Sequence, residues 1–201
     1  MDILKYRNNE DTFYNQGIIK GTITYIRQIN KYLVIHVRTK IGTYYNYPTV
    51  YIPKEILNTE LKKGDYVVVK GRIDSRKQTT KSNDVKYEQL FIADEINITN
   101  KNSTDITFHM YENQIKLKGI VNKVSDNNSS VVLLSLKMYD CKKNKWAKIF
   151  VAAYGDKKEM VKNIKPGDVV DLLGNIQTVL VTKQDKTKRK EPIVLQNLIV
   201  N

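Results

Sequence analysis

Apolar and polar residues alternate along most of this chain in short runs that predict β-strands. The runs are rich in Val, Ile and Tyr and repeat with a period of two, which is the spacing of side chains on one face of a strand. The predicted strands cover residues 18–26, 32–38, 49–52, 66–73, 90–96, 116–124, 131–138, 148–154, 169–176 and 193–200.

Two short helical segments interrupt these strands at equivalent places. Pro53 begins a predicted helix at residues 53–58, because proline is favoured at the first position of a helix. The second predicted helix, at residues 157–164, carries Val161 and Ile164 on one face. Each helix follows the third strand of a group of five and precedes the fourth.

The second half of the chain repeats the first. A Lys-Gly pair in the first strand of each half recurs 98 positions later, at Lys118-Gly119 after Lys20-Gly21. Two further blocks recur at an offset of 103, and self-similarity of this kind indicates tandem copies of one fold. The matching blocks are 63–73 with 166–176, and 92–96 with 195–199.

Five strands with a helix between the third and the fourth are the element order of an OB barrel. The alternative is a generic β-sandwich with similarly placed glycines. We predict an all-β fold with short helices, built as two tandem five-stranded OB-fold barrels. The expected domains are residues 1–99, including a short N-terminal extension at 1–15, and residues 114–201, with a linker at 100–113.

The charge of the chain points toward a class of partner. Its 201 residues include 34 Lys and Arg against 21 Asp and Glu, a formal net charge of +13 at pH 7. Such an excess predicts a polyanionic partner, with nucleic acid first and an anionic membrane surface second.

The sequence lacks the features expected of disulfide-bonded, metal-binding, catalytic, secreted and membrane proteins. One Cys and two His argue against an intrachain disulfide and against a metal site. Without a Gly-rich phosphate loop or a His-based triad, neither an enzyme nor a cofactor is expected. No signal sequence or apolar run of about 18 residues appears, so we expect a cytoplasmic protein without a membrane partner.

Binding of single-stranded nucleic acid needs aromatic faces for the bases and cations for the phosphates. In the first repeat, the inward strand positions are apolar. The outward positions, with the loop holding Tyr44, Tyr45 and Tyr47, supply the candidates. The alternative for each Tyr is an ordinary packing role in a strand, and the alternative for the cluster from Tyr44 to Tyr51 is a protein interface. The candidates are Tyr32, His36, Arg38, Tyr44, Tyr45, Tyr47, Tyr51, Lys70, Arg72, Arg76, Lys77 and Lys81.

The second repeat offers a corresponding set on its second and third strands and on a basic hairpin at residues 183–190. The alternative for the hairpin is a solvated tip, since runs of charge are usually solvated. The candidates are Lys137, Tyr139, Lys143, Trp146, Lys148, Phe150, Lys186, Lys188 and Arg189.

The two halves differ in composition. Residues 1–105 contain ten of the thirteen Tyr, with 17 basic and 12 acidic residues, a net charge of +5. Residues 106–201 contain three Tyr, with 17 basic and 9 acidic residues, a net charge of +8. We expect the first half to supply more base stacking and the second half more attraction for phosphates.

Two segments resemble the bacterial single-stranded DNA-binding protein (SSB) family. Residues 61–73 (LKKGDYVVVKGRI) are similar to that family's fourth strand, and residues 146–157 (WAKIFVAAYGDK) to its third strand and following turn. This sequence departs from the family in the absence of an acidic C-terminal tail. Trp146 also lies somewhat farther from Gly155 than the family's Trp does from its glycine.

The resemblance implies non-sequence-specific binding and protection of single-stranded DNA in replication, recombination, or plasmid or phage DNA transfer. It also implies a homodimer presenting four OB folds, because members with two folds per chain dimerise. The composition is typical of a low-GC bacterium, its phage or a plasmid. An RNA- or tRNA-binding OB protein, or an OB-fold adaptor between proteins, remain alternative readings of the same residues.

Overall fold

A computed structural model describes residues 13–79, 85–99, 111–128, 130–140, 145–183 and 186–201. Within these ranges the chain is almost entirely β-structure, as the sequence predicts. The first half contains β1 (Tyr14–Ile29), β2 (Tyr32–Ile41), β3 (Tyr44–Asn46), β4 (Thr49–Pro53), a 3₁₀ turn (Lys54–Ile56), β5 (Tyr66–Thr79) and β6 (Val85–Thr99). The second half contains β7 (Glu112–Asn128), β8 (Val131–Asp140), β9 (Lys145–Tyr154), helix α1 (Lys157–Val161), β10 (Val169–Ile176), β11 (Val179–Lys183), β12 (Lys186–Lys190) and β13 (Ile193–Val200).

Each half closes into a five-stranded barrel. The first barrel has the order β1–β2–β4–β6–β5, with β4 and β6 parallel and the other neighbours antiparallel. The second barrel repeats this order as β7–β8–β9–β13–β10, with β9 and β13 parallel. In both, the helical turn lies between the third and fourth barrel strands. The predicted tandem OB fold is confirmed.

Strand alternation places the core where the sequence predicts it. Val67 and Val69 of β5 are fully buried, as are Ile149 and Val151 of β9. Gly174 lies at a bulge between β10 and β13, where an added Cβ would stand 2.9 Å from the carbonyl oxygen of Val194. A side chain at this position would therefore collide with the neighbouring strand.

The structure corrects several local expectations. Tyr44 and Tyr45 belong to the short strand β3, which pairs with β2, rather than to a loop. The predicted helices are shorter, at Lys54–Ile56 and Lys157–Val161. The strands β1, β5, β6 and β7 are longer than predicted, because pairing with neighbours extends them through polar residues whose sequence does not alternate.

Strand pairing moves the register between the last strands of the two repeats by one residue from that expected from the sequence. Gly71 pairs with Ala93, and its counterpart Gly174 pairs with Leu195. Ala93 and Leu195 are thus equivalent and lie 102 positions apart, not 103. One residue matters here, because a slip of one exchanges the two faces of a strand.

The two barrels are joined by direct pairing of β1 with β7. The antiparallel ladder runs from Tyr14 opposite Lys118 to Lys20 opposite Glu112, and Gly17 faces Ile115 at its centre. Gly17 and Ile115 are 98 positions apart and so occupy the same place in the repeat. The same strand segment of each barrel therefore meets its counterpart across a pseudo-two-fold axis, and one eleven-stranded sheet results.

An asparagine in each half brackets the backbone of its own barrel beside this seam. Asn15 donates to the carbonyl oxygen of Ile73 at 2.7 Å and accepts from its N–H at 2.9 Å. Asn113 makes the same two bonds to Ile176, at 2.7 and 3.0 Å. The asparagines are 98 positions apart, so the repeat itself carries this feature.

The two ends of the seam carry different polar contacts. At one end Lys20 pairs with Glu112 at 2.5 Å. At the other, the Tyr14 hydroxyl donates to Asp171, and Lys118 lies 3.6 Å from the same carboxylate. Burial and the bond to Asp171 raise the pKa of Tyr14 to about 12.

Candidate nucleic-acid interface

The strands β8 and β9 place the predicted residues of the second barrel in directly opposed pairs on one outer face. The Trp146 ring lies edge-on to Tyr139, with centroids 5.6 Å apart, and also to Phe13 of the first barrel at 5.9 Å. Aromatic and basic side chains therefore alternate along one surface, as strand alternation predicts. The pairs are Ser135 with Phe150, Lys137 with Lys148, and Tyr139 with Trp146.

The β5–β6 hairpin of the first barrel reaches over this face of the second. The Tyr87 ring lies 5.3 Å from the Phe150 ring, and the Lys148 ammonium stands 5.4 Å from the Tyr87 centroid. Gln89 brackets the backbone of Phe150: its amide donates to the carbonyl oxygen at 3.1 Å, and its oxygen accepts from the N–H. The first barrel thus contributes an aromatic ring to the surface of the second.

The β11–β12 ribbon of the second barrel reaches over the first in the same way. Glu191, which follows the ribbon, accepts from the Thr49 N–H at 2.9 Å and from its hydroxyl at 2.7 Å. Arg189 donates to the carbonyl oxygen of Tyr47, and it lies 3.4 Å from Nδ1 of His36. This predicted phosphate-binding arginine is therefore already engaged with the first barrel.

These two crossings are equivalent under the repeat. Gln89 corresponds to Glu191 at the offset of 102, and Tyr87 corresponds to Arg189. Each hairpin therefore uses the same two positions to contact the opposite barrel. Tyr87, Gln89 and Glu191 were not among the residues predicted from the sequence. The offset of 102 between the last strands is the sequence signal that pairs Gln89 with Glu191 and Tyr87 with Arg189.

The outer face of β2 and β4 carries a compact aromatic cluster. The rings of Tyr32 and Tyr51 are perpendicular, with centroids 6.0 Å apart. The Arg76 guanidinium lies 5.7 Å from the Tyr32 ring and donates to its hydroxyl at 3.2 Å, while Lys31 stands 5.4 Å from the same ring. Two of the predicted tyrosines and one predicted arginine therefore lie together.

A second group lies at the end of β2, beside β3. The Tyr45 ring receives the cations of Arg38 and Lys40 at 5.5 and 5.6 Å, and Tyr111 packs edge-on at 6.3 Å. Tyr44 is 77% exposed and has the most open of the predicted aromatic rings. Cations and rings are interleaved here, as single-strand binding requires.

His36 is covered on its outer side by a residue that the sequence did not single out. The Tyr25 ring stacks on the His36 ring with centroids 4.6 Å apart. Burial, followed by the nearby charge of Arg189, lowers the pKa of His36 below its usual value. The imidazole is therefore kept neutral, so it contributes a ring rather than a charge at pH 7.

Two predicted cations lie away from these groups. Lys70 pairs with Glu95 at 3.1 Å, and Arg72 pairs with Asp94. Both project from the outer side of β5, which borders β1 and β6 and lies across the barrel from β2 and β4. The structure does not bring them to the aromatic face, and each already has an acidic partner.

The remaining predicted cations lie at hairpins and loops. Lys77 and Lys188 are exposed on the two crossing hairpins. The backbone of Lys186 pairs within the ribbon. Lys81 and Lys143 lie outside the described residues.

The part of the chain that the structure describes shows no group of three His, Cys, Asp or Glu side chains that could hold a metal ion. Within those same ranges, no helix has the length and apolar character needed to cross a bilayer.

Comparison with solved structures gives matches over both barrels. The chain superposes on the single-stranded DNA binding protein from Thermus aquaticus with a TM-score of 0.65 and 17% identity, covering 94% of this chain and 93% of that one. A deletion mutant of the same protein gives a TM-score of 0.66, again at 17% identity, over 94% of this chain and 95% of that one. No protein-family model and no curated protein matches the sequence. At this identity the likeness shows a shared fold.

Proposed function

We propose that this protein binds single-stranded DNA without sequence specificity and protects it during replication, recombination, or plasmid or phage transfer. The observation that carries the proposal is the crossing of the hairpins. Each barrel has an aromatic and basic outer face, and Tyr87 links the faces by packing on Phe150 of the opposite barrel. A flexible single strand can follow such a surface, because every base has a face to stack and every nucleotide a phosphate.

The charge of the molecule supports the same proposal. The net charge of +13 attracts a polyanionic ligand to the molecule as a whole. The interface places cations beside rings, at Lys148 over Tyr87 and at Arg76 over Tyr32. This interleaving fits a strand whose phosphates and bases alternate, whereas a duplex hides its base faces.

The direct test is fluorescence anisotropy of labelled oligo-dT at two salt concentrations, with duplex DNA and oligo-U as competitors. The proposal predicts binding that weakens as salt rises, because phosphate contacts release counterions, and that neither competitor displaces efficiently. Displacement by oligo-U alone would assign the surface to RNA. Absence of binding to all three would reject nucleic acid and favour an adaptor between proteins.

A homodimer presenting four OB folds belongs to this proposal, by analogy with the family that the sequence resembles. Sedimentation equilibrium of the full chain measures it. A monomer mass at micromolar concentration would reject the dimer and leave two OB folds as the binding unit.

A further inference from the structure

A hollow opens on the outer face of the second barrel beside the Phe150 ring. Its volume is about 270 Å³, and it lies against β7, β8 and β9. This is just below the range of roughly 300–1,000 Å³ typical of pockets for drug-sized ligands, so it suits a single small heterocycle. Residues lining it include Asn122, Lys123, Leu133, Ser135, Lys148 and Phe150.

The hollow exists because a small residue stands at its centre. Ser135 pairs with Lys123 on one side and with Phe150 on the other, and it is 6% exposed. The hydroxyl is too short to fill the space between these larger neighbours. Asn122, the extra residue of a β-bulge, lies with its amide 3.5 Å from the Ser135 hydroxyl.

The first barrel fills the same place with its own side chains. His36 corresponds to Ser135, and Tyr25 corresponds to Lys123, because each pair stands directly opposed after the bulge in the first strand. In the first barrel the Tyr25 and His36 rings stack on each other, and Arg189 adjoins them. Two flat rings, one on the other, occupy the position that the second barrel leaves open.

We propose, resting on the single-strand binding proposed above, that the hollow of the second barrel accepts one base of the bound strand, a pyrimidine with carbonyl oxygens such as thymine. Phe150 supplies a stacking face. The ammonium groups of Lys123 and Lys148 can only donate hydrogen bonds, so they favour carbonyl acceptors. Leu133 offers an apolar contact for the thymine methyl group. The stacked Tyr25 and His36 rings of the first barrel act as a built-in substitute for such a base.

This arrangement makes the second barrel the place where the strand is fixed. A base held at its edge as well as on its face contributes more than a stacked base alone. The first barrel, with its equivalent position filled, contacts the strand only through rings and cations at its surface. The chain therefore binds with one preferred thymine position inside an otherwise unselective site.

The test uses oligo-dT in which one internal thymine is replaced by 5-iodouracil, placed in turn along the strand. Irradiation of the wild-type complex should crosslink the peptide that contains Phe150. The double variant Lys123→Tyr, Ser135→His rebuilds the first barrel's filling and should abolish that crosslink. Affinity for oligo-dT should fall about fivefold or more, in the range expected for loss of one stacked base.

An abasic site at the crosslinking position supplies a readout that does not depend on folding of a variant. It should weaken binding by the wild type and leave the affinity of the double variant unchanged. Lys165→Gln, which removes one positive charge from the turn between α1 and β10, is the matched control and should keep the crosslink.

Two outcomes would overturn the proposal, and they are distinguishable. If the wild type binds oligo-dT but crosslinks elsewhere, or if the double variant crosslinks and binds as the wild type does, the hollow takes no base and single-strand binding still stands. If the wild type does not bind oligo-dT at all, the proposed function fails and the pocket proposal fails with it.

Discussion

The two barrels build their outer faces from the same strands but leave them in different states. Aromatic rings contact one another on both faces, as Tyr32 contacts Tyr51 and Tyr139 contacts Trp146, but the first barrel also stacks Tyr25 on His36. In the second barrel Ser135 replaces a ring, and a hollow remains beside Phe150. The barrels differ here at three equivalent positions, which hold Tyr25, His36 and Thr49 in the first and Lys123, Ser135 and Phe150 in the second.

The number of tyrosines in a half is not the number on its outer face. Ten of the thirteen Tyr belong to the first half, which led to the expectation that it supplies most of the stacking. Tyr66 is 5% exposed in the core, and Tyr14 lies at the seam. Tyr87 reaches the second barrel. We therefore propose that stacking is shared between the barrels.

The largest expected effect concerns the seam, where the halves meet as Gly17 and Ile115. Ile115 is fully buried, so Ile115→Ala should lower the free energy of unfolding by about 2–5 kcal/mol, the usual cost of such a cavity. Urea denaturation measures it. Ile199→Ala, at a side chain 60% exposed, is the control and should change it by less than about 0.5 kcal/mol. A loss below about 1 kcal/mol for Ile115→Ala would show that the seam contributes little.

The next effect compares stacking on the two faces. Phe150→Ala should weaken oligo-dT binding by about 1–3 kcal/mol, because it removes a stacking face. Tyr51→Ala should cost less: both rings are half-buried and pack against a second aromatic ring, but of the two Phe150 alone lines the hollow. Anisotropy titrations of the two variants give the ranking. Equal losses would mean that both faces stack alike, and a larger loss for Tyr51→Ala would reverse the assignment.

Two neighbours on the β11–β12 ribbon separate a structural cation from one that binds phosphate. Arg189 is held by Tyr47 and Glu191, so Arg189→Gln should lower the free energy of unfolding by about 1 kcal/mol. Lys188 is exposed, so Lys188→Gln should leave stability unchanged and reduce the slope of log affinity against log salt by about 1. If Arg189→Gln changes the salt dependence of binding and not the free energy of unfolding, then the contact of Arg189 with Tyr47 of the first barrel does not persist in solution.

A pH dependence of stability is also expected at one end of the seam. The pKa of Tyr14 is raised to about 12, from an ordinary value near 10, so the folded state holds this proton more tightly than the unfolded state does. Its contribution to stability is complete below pH 10 and is lost as the pH rises toward 12. Tyr14→Phe should flatten the stability profile between pH 10 and 12. Parallel profiles for variant and wild type would remove Tyr14 from this role.

Asp171, at the same end of the seam, makes stability depend on acid pH rather than alkaline pH. Burial acts to raise the pKa of Asp171, but hydrogen bonds from Tyr14 and Asn201 and the charge of Lys118 outweigh it, and the pKa is lowered. The contribution of Asp171 to stability is therefore present at neutral pH and is lost as the pH falls through its lowered pKa.

The barrels could be predicted from the sequence because their strands bury every second residue, which gives the apolar residues a period of two. Val67, Val69 and Ile73 illustrate this in β5. The polar continuation of β5 into the hairpin leaves no such period, so its extent was underestimated. The seam between β1 and β7 was also missed, because backbone pairing between barrels needs no particular side chains.

The candidate interface was predictable in part. Outward alternation identifies Trp146, Lys148 and Phe150 as one face, and the structure places them on one face. Alternation cannot show that Tyr87 and Arg189 cross to the opposite barrel, because that depends on how two closed barrels sit against each other. Lys70 and Arg72 have the pattern of binding residues but pair with acids on the next strand.

The most direct measurement uses Trp146, the one tryptophan of the sequence, as its own probe. Titration with oligo-dT should change its emission in a saturable way, because the ring lies on the β8–β9 face proposed to carry the strand. The change should reverse with added salt and occur at the same strand concentrations as the anisotropy change. Binding detected by anisotropy with an unchanged Trp146 emission would place the strand elsewhere and contradict this account.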